Sequence, residues 1–209
     1  MSTLDRIAYF QDRRDEVPNQ ELAQDLAARK DRKGIREIAG NLWNQERNVQ
    51  SDCLKVLYEI GYLDPALVAD YADDFLKLLE SRNNRMVWGG MIALSTIASL
   101  RADILFPHVS LIKKVMEKGT IITLDAGIKT LAGIASQKDT YSAAIFPYLL
   151  DHLKTCRPMD LPRHAGQIFI VVNEANKKGF IKVLEKRAQG LSGSGLVRLQ
   201  KVIKEAAKR

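Results

Sequence analysis

Aromatic residues make up only 7% of this 209-residue chain, histidine occurs three times and cysteine twice. Cys53 and Cys156 are far apart and belong to no CxxC or Cys/His spacing, which gives no disulfide framework and no zinc motif. Both read as small apolar packing residues. His108, His152 and His164 are too scattered and too poorly accompanied for a metal cluster, and each is expected on a helix surface or in a turn. No run of about 18 apolar residues is present, so no membrane-spanning helix is expected. The start, MSTLDRIAYFQDRRDEVPNQ, lacks the apolar stretch of a secretory signal, and a cytoplasmic location is the resulting expectation. Phosphate-binding glycine loops, HExxH and GxSxG are all missing, so neither a catalytic residue nor a cofactor is expected. Strict polar-apolar alternation is missing too, which disfavours strands.

What is present is apolar periodicity. Apolar residues are 46% of the chain, ample for a continuous core. The segments CLKVLYEIG (53–61), MIALSTIAS (91–99) and IKTLAGIAS (128–136) share one pattern. Leu57, Leu94 and Leu131 are equivalent at 37-residue intervals, as are Ile60, Ile97 and Ile134, and the next step reaches Ile168 and Val171. Within a unit the spacing is that of two helices with a polar turn between them. The spacing predicts a helix over 65–80, begun by Pro65, and another over 85–100. Ser81-Arg82-Asn83-Asn84 supplies the break and the capping side chains.

The run ILFPHVSLIKKVMEKGTIITLDAGIKTLAGIA (104–135) resembles a HEAT repeat: an early proline, leucine-type residues, a short turn, then a second helix ending in Gly-Ile. Phe146-Pro147-Tyr148-Leu149 begins the pattern again. The resemblance to the HEAT-like and armadillo-like helical repeats covers 31–175. It implies an all-α fold, a right-handed α-solenoid of stacked antiparallel helical hairpins, in a single domain over 1–209. Residues 1–30 are then N-terminal capping helices, 31–175 about four repeats, and 176–209 a basic C-terminal capping hairpin that includes the flexible turn LSGSG (191–195).

Charge is uneven. Lys177 to Arg209 holds ten basic and two acidic residues, a net of +8 in a chain of net +7. A surface of Lys182, Lys186, Arg187, Arg198, Lys201, Lys204, Lys208 and Arg209 is therefore a candidate for an anionic partner, with a solvated polar cap as its plain alternative. Only Phe180 accompanies it, too little for stacking on bases.

Trp88 stands beside Gly89 and Gly90, each costing about 1 kcal/mol in a helix, so close packing or an open surface is expected there. Its register mates are Ser51 and Asp125, and the next helical turn carries Lys55, Ile92 and Lys129. These six residues form a candidate partner-binding groove, against a plain reading of Trp88 as interface packing. The expected function is noncatalytic: a scaffold or interaction module with a protein partner bound on the solenoid surface. Nucleic acid held by the basic hairpin is the alternative. A subset of HEAT-like proteins consists of DNA glycosylases for alkylated bases, which use aromatic residues and a catalytic Asp. Here Ile92 follows Trp88 by one turn, Arg47 follows Trp43, and Asp125 is the nearest acid by register, so that third reading is the weakest.

Overall fold

The computed structural model describes residues 2–209, and every regular element among them is helical. The chain divides into two compact units, Met1–Gly127 and Ile128–Arg209.

The first unit begins with two short 3-10 turns, Leu4–Arg6 and Tyr9–Gln11. Glu37 fastens this segment, accepting hydrogen bonds from the Ser2 hydroxyl and from the amides of Thr3 and Leu4, both at 3.3 Å. These donors hold the Glu37 carboxyl below its ordinary value, the Ser2 hydroxyl contributing most. The helices that follow are α1 (Val17–Arg29), α2 (Arg32–Gly40), α3 (Arg47–Leu63), α4 (Ala72–Leu78), α5 (Asn84–Ile97), α6 (Ala102–Leu105) and α7 (Val109–Lys118). Helix α8 (Ile121–Ala135) contains the point of division. Helices α1, α3 and α5 pack in succession, while α2 lies on α3 and α4 on α5. Each hairpin thus contributes its second helix to one layer and its first to another.

Local chemistry sets the starts. The carboxylate of Asp31 accepts the Gly34 amide at 2.9 Å to begin α2, and Asn83 accepts the Arg85 amide at 3.0 Å to begin α5, as the polar break at 81–84 predicts. The expected helix over 65–80 is instead broken into 3-10 turns at Pro65–Leu67 and Ala69–Tyr71 followed by α4. Asp64 caps the first turn through the Ala66 amide, and Val68, at φ −119°, ψ 0°, separates the two turns. The Arg101 guanidinium takes up the Ala69 carbonyl at 3.0 Å and pairs with Asp70.

The second unit continues through α9 (Asp139–Thr155), α10 (Leu161–Ile168) with a 3-10 extension at Phe169–Val171, α11 (Lys177–Ala188) and α12 (Gly193–Ala207). Helix α11 packs on α9 and α12, and α10 packs on α9 and α12. The expected turn at 191–195 is shorter than its composition suggests. Gly193, at φ +59°, already opens α12, a backbone angle glycine adopts without cost.

The 37-residue register is a register of burial. Leu57, Leu94, Leu131 and Ile168 are all fully buried, as are Ile60, Ile97 and Ile134, with Val171 at 4% exposure. Glycine follows the register where helices touch. A β-carbon at Gly90 would meet Leu78 Cβ at 2.9 Å and the Phe75 carbonyl at 3.2 Å, and one at Gly127, 37 residues on, would collide with Met116. The second helix of each hairpin therefore lies too close on its own first helix for a side chain at this position.

Gly166 in α10 has open space where its β-carbon would stand. The two classes of glycine should respond oppositely to alanine. Gly90→Ala is expected to lower stability by about 1–3 kcal/mol through overpacking, and Gly166→Ala to raise it by about 0.4–1 kcal/mol. Urea unfolding followed by circular dichroism checks both, and shifts of the same sign would contradict the packing described for Gly90.

Candidate functional site

The six groove residues separate by depth. Ser51 and Lys55 on α3 are each only 7% exposed. The Ser51 hydroxyl donates to the Arg47 carbonyl at 2.9 Å. The Lys55 ammonium is enclosed by Glu16 at 2.8 Å and Glu59 at 2.6 Å, and lies 4.9 Å from the centre of the Tyr58 ring. Burial pulls the Lys55 pKa down, but the hydrogen bonds to Glu16 and Glu59 outweigh it, and the net shift is upward. The expectation that all six side chains line one groove is corrected in part: Ser51 and Lys55 are buried, their polar groups engaged within the protein.

Trp88 and Ile92 on α5 are half-buried, as is Asp125 on α8, while Lys129 in the second unit is exposed. The glycines beside Trp88 mark close packing. A β-carbon on Gly89 would reach Leu54 Cδ2 at 2.6 Å, so α5 sits tightly against α3 at this point.

Arg85, one helical turn before Trp88 on α5, borders a cleft in the first unit that the sequence did not disclose. Tyr9, Asp12 to Glu16, Asn48, Asp52 and Arg85 line a cavity of about 350 Å³. The Tyr9 amide donates to Asp52 at 2.8 Å, fixing the N-terminal segment over α3. The two oxygens of Glu16 divide between Lys55 and Arg85, the latter at 3.9 Å. Glu16 thereby joins the buried ammonium below to the cleft wall above. Arg85 precedes Trp88 by one helical turn and could have been read from that spacing. Glu16 and Asp52 are brought in by tertiary packing, for which no local signal exists.

The basic end also changes meaning. Arg187 spends its guanidinium on the end of α9, donating to the carbonyls of Leu153 at 3.2 Å, Lys154, and Cys156 at 2.6 Å. Arg209 does the same after α10, donating to Phe169 at 2.9 Å and Val172 at 2.7 Å while lying 4.0 Å over the Phe169 ring. Both act as C-terminal caps, which the unpaired carbonyls of a helix end require. Lys208 is paired with Glu205 at 2.8 Å. Lys182 and Lys186 border an apolar cavity of about 450 Å³ with Leu150, Gly179 and Val183. Arg198, Lys201 and Lys204 are exposed along α12.

One further group departs from expectation. His164 is not a surface residue but fully buried, and its Nδ1 lies 2.9 Å from His152 Nε2. Cys156 stands with them, the three ligand-type atoms all within 4.8 Å of one another. Burial raises the Cys156 thiol pKa, with the Arg187 charge opposing it. Cys53 is the packing residue expected, fully buried, its thiol pushed up to about 12 mainly by that burial.

No family model matches the sequence, and no curated protein matches it. Solved structures do match. A designed armadillo repeat protein in complex with the peptide (KR)4 superposes with a TM-score of 0.69 at 15% identity, covering 90% of this chain and 86% of that one. An engineered protein superposes with a TM-score of 0.69 at 18% identity over 100% and 98% of the two chains. A computationally designed armadillo repeat protein for modular peptide recognition gives 0.66 at 14% identity, covering 89% and 86%. The fold is thus an armadillo/HEAT-like α-solenoid. No helix among the described residues is long and apolar enough to cross a membrane.

The Lys55 arrangement makes a test of its own. Glu16→Ala with Glu59→Ala strands the ammonium and is expected to cost about 1–2 kcal/mol, less than a fully buried pair because Glu16 is nearly half exposed. Lys55→Met, which removes the charge and keeps the volume, is expected to stay within about 1 kcal/mol of the parent. Thermal unfolding of the two variants decides it, and a larger loss for Lys55→Met would show that the ion pair itself is stabilising.

Proposed function

We propose that this chain is a noncatalytic interaction module that holds a polar peptide segment of a partner protein against the first unit, on the surface bounded by Trp88, Ile92 and the cleft beside them. The observation that carries this reading is the half-buried Trp88 one turn from Arg85. An aromatic anchor and an arginine one turn apart, the arginine lining a cleft of mixed charge, are residue types on which protein interfaces concentrate their binding energy. The cleft offers Asp12, Asp15 and Asp52 together with Arg13, Arg14 and Arg85. Such a wall suits a peptide carrying charges of both signs rather than an apolar ligand. Stacked repeats supply extended surfaces of this kind, and solved structures of the same fold include designed peptide binders. The glycosylase alternative draws no support from the Trp88 surroundings: the next turn carries Ile92 in place of an acid.

Selection of a displayed peptide library against the full chain, followed by fluorescence titration of the enriched peptides, tests the proposal. Trp88→Ala combined with Arg85→Glu is expected to weaken the selected peptides at least about tenfold while leaving the helical signal intact. Undiminished binding by the folded double variant removes this surface from consideration.

A second reading rests on the cations left over at the basic end. Lys182, Lys186, Arg198, Lys201 and Lys204 remain exposed after Arg187 and Arg209 are committed to helix ends. We propose nucleic acid as the alternative partner of that surface. It predicts duplex binding that falls steeply with added salt and weakens several-fold in Lys201→Glu/Lys204→Glu. Absence of binding at low salt eliminates it.

A further inference from the structure

The chain repeats itself every 37 residues, so each position can be judged against its register mates. Position 164 is the equivalent of Cys53, Gly90 and Gly127. In the two glycine units this position presses on an apolar side chain of the hairpin's first helix, Leu78 or Met116. In the next unit the same contact is made by His164, and what it touches is His152, the register mate of Leu78. An apolar seam has been replaced by two imidazoles, one of them fully buried, and Cys156 is added one turn beyond His152 at the end of α9. Filling the seam requires volume only. It does not require two imidazoles and a thiol, each able to donate a lone pair toward a common point.

We infer that His152 Nε2, His164 Nδ1 and Cys156 Sγ form a binding site for one zinc ion, which ties the end of α9 to α10 across the turn between them. The donor set favours a borderline-soft transition metal over magnesium or calcium. The distances are close to those required. With Zn–N near 2.0–2.1 Å, a tetrahedral centre places its two nitrogens about 3.3 Å apart, so the 2.9 Å pair opens slightly. Zinc also needs sulfur about 3.6 Å from each nitrogen, so Cys156, now within 4.8 Å of both, closes in. Each residue supplies one ligand, leaving the fourth position to water on the half-buried side of His152. Binding requires the ring that carries the shared proton to take its other tautomer, exchanging that proton through solvent so that both imidazoles stay neutral, and the thiol proton alone is released to solvent.

The surrounding polar groups fit this role. Asp160, 6% exposed, sits in the connecting turn, held by Arg157 at 2.6 Å and Arg163 at 3.0 Å. It adds a compensating negative charge close to His164, an outer-shell contribution of the type metal sites use. Arg187 grips the carbonyls of Leu153, Lys154 and Cys156 from α11. The ligand-bearing turn is therefore also the seat of the last hairpin, and metal occupancy would stiffen both.

The test uses the reduced, chelator-stripped full chain titrated with cobalt(II) and then with zinc(II). One ion per chain is expected, with a thiolate-to-cobalt charge-transfer band that persists in Cys53→Ala and disappears in Cys156→Ser. Zinc affinity is expected to fall about 100-fold or more in Cys156→Ser and in His152→Gln, and zinc should raise the melting temperature of the parent alone. The inference is overturned by a folded parent chain that develops no thiolate-cobalt band. It is equally overturned by zinc binding that both variants leave unchanged. The parent chain's cobalt spectrum decides the matter even where a variant fails to fold.

Discussion

A helical hairpin with apolar residues on both of its broad sides cannot cover them alone, and the rest of this structure follows from that shortage. Leu57, Leu94, Leu131 and Ile168 are each completely withdrawn from solvent, although each belongs to a different hairpin. Within the first unit, successive packing of α1, α3 and α5 makes this burial achievable, and within the second the contacts of α9 and α10 with α11 and α12 do so. Such packing demands close approach, which is why Gly89, Gly90 and Gly127 stand where a β-carbon would strike a neighbouring side chain. The helix-propensity penalty of these glycines is offset by the contacts their absence of side chain permits.

The same close packing decides what happens to charge. Lys55 lies on the face of α3 that neighbouring elements cover, and its ammonium is tolerated only because Glu16 and Glu59 both reach it. Helix ends pose the complementary problem of unpaired carbonyls, and Arg187 and Arg209 answer it. A guanidinium suits this work because it presents several donors in one plane. Formal charge counted along the last hairpin therefore overstates what remains for a partner. The exposed lysines and Arg198 are the part of it that stays outside.

How much could be read beforehand divides along the same line. The register, the paired helices and the Asn83 start of α5 were legible because they depend on local spacing and on side chains that cap their own neighbours. The glycines beside Trp88 announced an unusual contact, and the contact is with Leu54. The break at 65–71 was not legible, since it depends on Arg101, thirty residues away, accepting the role of partner to the Ala69 carbonyl. Lys55 read as a groove residue because its register mate is Ile92, one turn beyond Trp88, yet no pattern along the chain could say that Glu16 would fold over it. The His152–His164 contact escaped for a related reason. Their separation matches no familiar metal spacing, and only the reversal between α9 and α10 turns twelve residues of sequence into 2.9 Å.

Repetition supplies its own standard for separating what a position does for the fold from what it does beyond it. Gly90 and Gly127 show what the fold asks at this register position, a small residue against an apolar one, and Cys53 is compatible with the same demand. His164 satisfies the need for burial but brings a polar ring into the seam, where it meets His152. Trp88 departs differently: its mate Ser51 is buried, small and internally bonded, whereas the indole is large and only half-buried. Packing alone explains the mates in both cases. Position 88 brings a half-buried indole one helical turn from the cleft-lining Arg85, and position 164 brings a buried imidazole against a second imidazole and near a thiol. Both proposed sites, the peptide-binding surface and the zinc site, thus fall at positions where the repeat departs from itself.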